Sequence, residues 1–535
     1  MDFCKSDEEG PATIFFATMP FEYLADTSQR WARNGVRGFM LSGIMRNWDS
    51  DVWLTGKKRI TGERNTLLKR VRKMNLACAD KGIDCNFIKV AFYSHLPDWF
   101  DDEGWTRLCE NFRQGSAFAR DGLFHGMAID IEYISEIYDI SWKGYRDTDY
   151  PVSELREKAK LRGAQMVQAM LDEYPSMEIL HLPQGPECYG PLAADLFSGM
   201  LSEMARRNSP GGLHLLTEAT YLRTNVDWLI RYGQELDEIV EEIASPSDWP
   251  YWRDRCSISF GLWPLGYYRE ILDEKENFLG YGGKKERFGD EVVGSYADKS
   301  DNYSAGEFKA QFAAARMLCK RYVWIYCHGS TFWKLTPEEM ERYGGHESDA
   351  LPVVENLNEY IDVLRDRDVI NDARIFELTR AVLQGWRVDF LGPMGSPREW
   401  TVIGPFDNYK GGGFAAQFPP EKELDLNAVY PGVDGEARWR RLRVSSTGFV
   451  DLARHYRPPD FRCAYALSYA NVPRVRRVQL LVGSDDGIKI WLGSDLVYQL
   501  DAVRGAEPDD DTISVDLPAG KVPVLLKIVN HRGAW

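Results

Sequence analysis

Two carboxylates stand one residue apart near the end of an apolar run, GMAIDIEYI, at residues 126–134. If this run is a strand, Asp130 and Glu132 point to the same side of it, because side chains alternate along a strand. Burying two acids without partners is costly. The spacing therefore indicates a chemical site, at which one carboxylate donates a proton and the other supports charge. The alternative is a structural ion pair with an Arg or Lys of a neighbouring strand.

Eight apolar runs alternate with amphipathic segments up to about residue 390, and these elements must position the two acids. The runs are continuously apolar, which is typical of parallel strands covered on both faces. They lie at 12–20, 35–45, 83–93, 126–134, 177–185, 212–222, 256–266 and 321–333. Helical patterns lie at 23–34, 63–81, 102–120, 153–174, 190–208, 225–245, 308–320 and 352–366.

Eight β–α repeats predict a (β/α)8 TIM barrel over residues 11–390. A doubly wound open sheet is the competing fold, but no Gly-rich phosphate loop follows the first run. After residue 395 the pattern changes to short alternating strands separated by turns, which predicts an all-β, jelly-roll-like sandwich at 396–535. One of its predicted strands is GFVDLARHY (448–456), and hairpin turns are expected at Asp486-Gly487 and Gly493-Ser494.

Catalytic groups of such a barrel lie at the C-terminal ends of its strands and in the loops that follow. The carboxylates at these positions are Asp130, Glu132 and Glu218. The other candidates are aromatic or polar: Tyr93, His95, Tyr133, His181, Gln184, Tyr221, Trp263, His328 and Trp333. Aromatic faces stack on sugar rings, polar groups bind sugar hydroxyls, and a pair of carboxylates can cleave a glycosidic bond. The set predicts a glycoside hydrolase acting on a poly- or oligosaccharide.

The run GMAIDIEYI also resembles the fourth-strand signature of the chitinase-like family 18 glycoside hydrolases, D-G-x-D-x-D-x-E-Y. Gly126, Asp130, Glu132 and Tyr133 match it. The resemblance implies that Glu132 is the general acid and that Asp130 orients an N-acetyl group of the substrate. His125 and Ala128 stand where the family has its two earlier aspartates, so the acetamido mechanism stays open.

If the substrate has no N-acetyl group, a second carboxylate must act as nucleophile or base, and Glu218 is the candidate. The segments WTVIGPF and GSDDGIKIWLGSDLV resemble the galactose-binding-like accessory modules that follow many glycosidase barrels. This resemblance implies carbohydrate binding or simple packing for the sandwich. The polar segment 273–306 is predicted to be a loop without secondary structure that contacts the substrate as a lid, and the alternative is an insertion without a role in binding.

Two other functions remain open. The barrel could bind glycans without cleaving them, through its aromatic residues. It could also be a metal-dependent hydrolase that uses His95, His181 and His328 at the strand ends, although no HxH stands on the first strand. We expect no metal and no cofactor. His214 stands early in its strand, where a structural role is expected.

Composition limits the remaining classes. The 535 residues carry a net charge of −16, which disfavours nucleic-acid partners, and no apolar run is long enough for a membrane span. Nine dispersed cysteines predict buried thiols at Cys78, Cys256, Cys319 and Cys327 rather than a disulfide framework. The polar N-terminus is no signal peptide, and we expect a trimmed chain from a secreted or periplasmic protein of open oligomeric state.

Overall fold

The computed structural model describes most of the chain. The described residues are 10–44, 64–91, 96–131, 150–183, 185–186, 191–221, 223, 226–265, 270–272, 278–281, 286–288, 291–293, 304–327, 332–345, 356–365, 388–433, 435–453, 455–456, 459–506, 509–532 and 535.

Strands and helices fill the first 365 residues of the chain, and they alternate over most of it. The strands are β1 (Ala12–Ala17), β2 (Val36–Leu41), β3 (Phe87–Ala91), β4 (Gly126–Asp130), β5 (Glu178–Leu182), β6 (Leu213–Thr217), β7 (Ser257–Leu262), β8 (Glu270–Leu272), β9 (Phe278–Tyr281), β10 (Glu286–Phe288), β11 (Glu291–Val293) and β12 (Tyr322–Ile325). The helices are α1 (Phe21–Arg33), α2 (Arg64–Ala79), α3 (Asp102–Gly122), α4 (Val152–Glu173), α5 (Pro191–Arg206), α6 (Val226–Ile243), α7 (Trp249–Arg255), α8 (Ala305–Leu318), α9 (Pro337–Tyr343) and α10 (Leu357–Arg365).

The strands β1 to β7 and β12 close into a parallel barrel, which confirms the predicted (β/α)8 fold. β1 closes the ring by pairing with β2 on one side and with β12 on the other. Side chains alternate between two apolar layers, as the period of a strand requires. Phe15 and Ile129 face outward into the layer shared with the helices, whereas Ile14 and Ala128 face the lumen.

Local signals place the helix ends. The side chain of Asp101 accepts a hydrogen bond from the backbone N–H of Gly104, which caps α3. Ser304 and Glu307 form a reciprocal capping box at the start of α8. Such caps satisfy backbone N–H groups that have no partner inside the helix.

The chain divides into two compact units. The first comprises Met1–Tyr268 and Lys299–Trp386, and the second comprises Arg269–Asp298 and Arg387–Trp535. The prediction that 273–306 is a loop without secondary structure was wrong. Its described part contains short antiparallel strands, since β8 pairs with β9 and β10 pairs with β11. Its role as a lid stays a prediction.

The C-terminal part of the second unit is built from antiparallel sheets. After α11 (Leu391–Met394) its strands are β13 (Glu399–Asp407), β14 (Val429–Gly432), β15 (Gly435–Arg438), β16 (Arg440–Arg443), β17 (Arg462–Val472), β18 (Arg476–Val482), β19 (Gly487–Leu492), β20 (Asp495–Leu500), β21 (Asp511–Leu517) and β22 (Gly520–Asn530). Six of them form one sheet in the order β16-β13-β17-β22-β19-β20, while β14-β15 and β18-β21 form two-stranded sheets.

Two details of the sandwich prediction were wrong. The segment GFVDLARHY is not a strand in its described residues. Leu452 and Tyr456 instead pack into a small core, and the backbone N–H of Leu452 bonds to the carbonyl of Trp535. No hairpin turns at Asp486-Gly487, because β18 pairs with β21 and not with β19. The hairpin at Gly493-Ser494 is confirmed by the pairing of β19 with β20.

The cysteines in the described part of the chain are free thiols, and the four predicted to be buried are buried. Burial raises the pKa of Cys319 to about 12. Such thiols behave as small apolar groups. Among the described residues, no helix is long and apolar enough to cross a bilayer.

Candidate functional site

Asp130 lies at the C-terminal end of β4 and faces the barrel lumen. Gly126 and Ala128 precede it on the same side of the strand, and its side chain is only 6% exposed. Gly126 has a packing reason of its own, since a Cβ atom there would lie 1.9 Å from the carbonyl oxygen of Glu178 on the next strand. The predicted buried carboxylate thus stands at the end of the barrel where catalytic groups are expected.

Lys89 is a partner of this carboxylate, and it was missed from the sequence. Its Nζ atom lies 2.6 Å from Oδ2 of Asp130, and its side chain is 9% exposed. The same ammonium lies 5.2 Å from the centroid of the Phe16 ring, within range of a cation–π contact. A lysine inside the apolar run NFIKVAFY was the available signal.

Aromatic rings line the lumen near this pair. Tyr326, which follows β12, lies 5.2 Å from Phe16 and stacks on Tyr221 at 5.3 Å, measured between ring centroids. Trp263, which follows β7, meets Tyr326 edge-on at 5.0 Å and Tyr221 at 5.7 Å. Two predicted sugar-site residues, Tyr221 and Trp263, therefore lie together in one aromatic wall.

The carboxylate of Glu218 belongs to the same wall. Glu218 follows β6 and is half-buried, and its Oε1 atom accepts a hydrogen bond of 3.0 Å from the Tyr221 hydroxyl. Its backbone N–H donates to the carbonyl of Pro183, at 2.7 Å. Both interactions fix the start of the loop after β6.

Gln311 of α8 holds the rest of that turn. Its amide nitrogen donates to the carbonyl oxygens of Thr220 at 2.9 Å, Tyr221 at 3.3 Å and Arg223 at 2.9 Å. The Thr220 hydroxyl donates to the carbonyl of Gly261, at 2.8 Å. A helix and a neighbouring strand therefore position the segment that carries Glu218, and such support is what a site needs to keep its geometry.

His181 does not face the lumen, which corrects its assignment to the sugar site. Leu180 and Leu182 on either side of it point inward, so alternation turns its ring outward against Phe197 of α5, 5.2 Å away. Neither ring nitrogen has a hydrogen-bond partner among the described residues. Burial lowers the pKa of His181 from 6.5 to about 4, although the charge of Asp130 opposes this shift.

Trp333 also belongs to packing rather than to the site. It is 2% exposed and lies in the outer layer, edge-on to Trp31 of α1 at 6.0 Å. A ring buried on both sides offers no face to a sugar. The remaining predicted site residues lie outside the described residues: Glu132, Tyr93, His95, Tyr133, Gln184 and His328.

The opposite end of the lumen contains a second polar cluster. Glu178, the first residue of β5, contacts Nε2 of His125 at 3.2 Å and Nε2 of His214 at 3.1 Å. The Arg321 guanidinium and the Tyr322 hydroxyl also donate to its carboxylate. Burial alone would raise the pKa of Glu178, but both imidazoles hold it well below the usual range. His214 is therefore part of the barrel floor, as its position early in a strand predicted.

A metal site built on the strand-end histidines loses one member, because the ring of His181 points away from the lumen. Within the described ranges, no group of three or more His, Cys, Asp or Glu side chains is arranged to hold a metal ion.

No protein-family model matches the chain, and no curated protein is similar to it in sequence. Similar solved structures include a putative alpha-galactosidase/melibiase from Bacteroides fragilis, with 10% identity and a TM-score of 0.33 over 97% of this chain and 79% of that one. A family 39 glycoside hydrolase from Bacteroides cellulosilyticus has 11% identity and a TM-score of 0.34 over 98% and 82%. An old yellow enzyme homologue from Zymomonas mobilis has 10% identity and a TM-score of 0.29 over 47% and 77%. Likenesses of this size do not indicate an activity.

Proposed function

We propose that the barrel is a glycoside hydrolase that acts on a poly- or oligosaccharide. One observation supports this above the others. A buried carboxylate, Asp130, and a second carboxylate, Glu218, both lie at the C-terminal end of the lumen beside a wall of aromatic rings. A pair of carboxylates is what glycosidic cleavage requires in most such enzymes.

In the proposed reaction Glu132 is the general acid that protonates the leaving oxygen, an assignment that comes from its spacing after Asp130. Asp130 assists, either by orienting an acetamido group of the substrate or by supporting positive charge at the anomeric carbon. Glu218 is the nucleophile or base for substrates without an acetamido group. Tyr221 and Trp263, each 8% exposed, line the sugar site as part of the aromatic wall.

The test compares wild type with Glu132→Gln, Asp130→Asn and Glu218→Gln on aryl glycosides and polysaccharides, with and without N-acetylhexosamine units. Glu154→Gln is the matched control, because Glu154 is exposed in the first turn of α4. We expect Glu132→Gln to lower kcat by about 10²-fold or more and the control to leave it unchanged. If Glu218→Gln loses activity on glycosides without an acetamido group but keeps it on N-acetylhexosaminides, Glu218 is the second catalytic carboxylate.

A barrel that merely binds glycans would give the opposite result. Wild type would then release no sugar from any substrate, and Glu132→Gln would retain the affinity of wild type. Carbohydrate binding by the C-terminal sheets is a separate proposal, which binding of the isolated polysaccharides to residues 387–535 and to the full chain would test.

A further inference from the structure

Lys89 sits one layer deeper in the lumen than the carboxylate it contacts. In the pairing of β3 with β4, Lys89 lies opposite Ala128, while Asp130 lies opposite Ala91. The lysine side chain must therefore extend toward the C-terminal end of the barrel to place Nζ 2.6 Å from Oδ2 of Asp130. Its direction is toward the proposed site and not toward the barrel floor.

We propose that Lys89 is a positioning residue for the reaction, which holds the Asp130 carboxylate in the orientation that the substrate meets. The proposal rests on the proposed glycosidase function. An ammonium bound to Oδ2 fixes the plane of the carboxylate and thereby the direction in which Oδ1 can accept a hydrogen bond or face a developing positive charge. The Phe16 ring, 5.2 Å from Nζ, limits the positions that the ammonium can take.

A purely structural role explains this pair less well. A buried ion pair is weak evidence for stability, since apolar residues of similar volume often serve as well. The neighbours of Lys89 in the register of β4 and β5, Ala128 and Leu180, are apolar, and so is the Phe16 ring beside its ammonium. A methionine at position 89 would suit that layer, so the presence of a lysine points to what its charge does at Asp130.

The second unit provides a contrast. Lys527 on β22 is fully buried and pairs with Glu421 at 2.8 Å, but it also donates to the backbone carbonyls of Phe414 and Ala416. Those bonds attach the segment after β13 to the sheet, which is a structural task. Lys527 is therefore a matched control: a buried lysine paired with a carboxylate outside the barrel.

The experiment is a kinetic cycle with Lys89→Met, Asp130→Asn and the double variant, on a glycoside that wild type cleaves. We expect Lys89→Met to lower kcat by about 10²-fold with KM changed less than about threefold, because small displacements of a catalytic group have effects of that size. The double variant should lose no more than Asp130→Asn alone, since Lys89 acts through Asp130. Lys89→Arg should restore part of kcat, and propylamine should restore part of it in Lys89→Ala.

Several results would overturn the proposal. One is a kcat of Lys89→Met within about threefold of wild type while its melting temperature falls as it does in Lys527→Met. Another is a double variant whose loss equals the product of the single losses. If Lys89→Met does not fold, the decision rests on kcat of Lys89→Arg and of Lys89→Ala with propylamine. If neither restores part of kcat, the positioning role is rejected.

Failure of the proposed function has a different signature. If wild type cleaves no glycoside, the glycosidase assignment fails, and crystal structures of wild type and Lys89→Met test the positioning by themselves. We expect the Asp130 carboxylate to leave its wild-type orientation once the ammonium is removed. An unchanged orientation would show that the rest of the lumen holds Asp130 without Lys89.

Discussion

Replacing His181 by leucine separates the outward orientation of this ring from a role in sugar binding. The ring lies against Phe197 in the layer between barrel and helices and is 1% exposed. Because leucine is apolar and of similar size, it fits that layer without leaving two buried nitrogens to satisfy. We therefore expect His181→Leu to keep the activity of wild type and to resist acid better.

The size of the acid effect follows from the pKa of His181, which burial lowers from 6.5 to about 4. A folded-state pKa below the unfolded value means that the unfolded chain takes up the proton first. The stability is then complete above about pH 6.5 and is lost as the pH falls toward 4. At about pH 5 the loss is about 2 kcal/mol, since one pKa unit corresponds to about 1.4 kcal/mol.

Urea unfolding of wild type and His181→Leu at about pH 7.5 and about pH 5 measures this difference. The free energy of unfolding of the variant should fall by about 2 kcal/mol less than that of wild type over the interval. Equal acid dependence in wild type and His181→Leu, or a tenfold loss of kcat/KM in the variant, would refute the outward, buried placement.

Three further changes test other parts of the barrel. Glu178→Gln should lower the free energy of unfolding by about 3–5 kcal/mol in urea titrations, because the Arg321 guanidinium and the Tyr322 hydroxyl would lose their charged acceptor. Gly261→Ala should cost about 1–3 kcal/mol by the same assay, since its Cβ atom would lie 2.7 Å from the Trp324 ring. Gln311→Met should lower kcat/KM about tenfold with a small change in melting temperature, because three carbonyl oxygens of the turn that follows Glu218 lose their donor.

The barrel was predictable because its strands are mostly apolar and are separated by helical patterns. Each predicted run contains the observed strand. The strands β14, β15 and β16 escaped prediction, because segments such as GEAR and RRLR are polar and have no apolar repeat. GFVDLARHY failed for the reverse reason. Its apolar residues fill a local core without extended backbone.

The inward placement of two candidate residues was predictable where the strand register could be read. Asp130 is the last residue of β4 and Glu218 follows the last residue of β6. Both stand at positions of the alternation that point toward the lumen. His181 failed because the run EILHL contains a polar residue of each parity, Glu178 and His181, and only the partner strands decide which faces the lumen. Trp333 failed because it lies eight residues beyond the last residue of β12, where strand alternation no longer applies.

The filled lumen limits the path by which a ligand can enter and leave the barrel. Phe87, Tyr322 and Trp324 occupy the barrel axis, and the Glu178 cluster lies beneath them. All three side chains are fully buried, as in barrels of this class, whose interior is a packed core and not a pore. A polymer cannot thread along the axis and leave by the far side, so anything that reaches Asp130 must depart through the mouth by which it entered. In the proposed glycosidase reaction, release of the product would therefore compete with entry of the next substrate at the same end of the barrel.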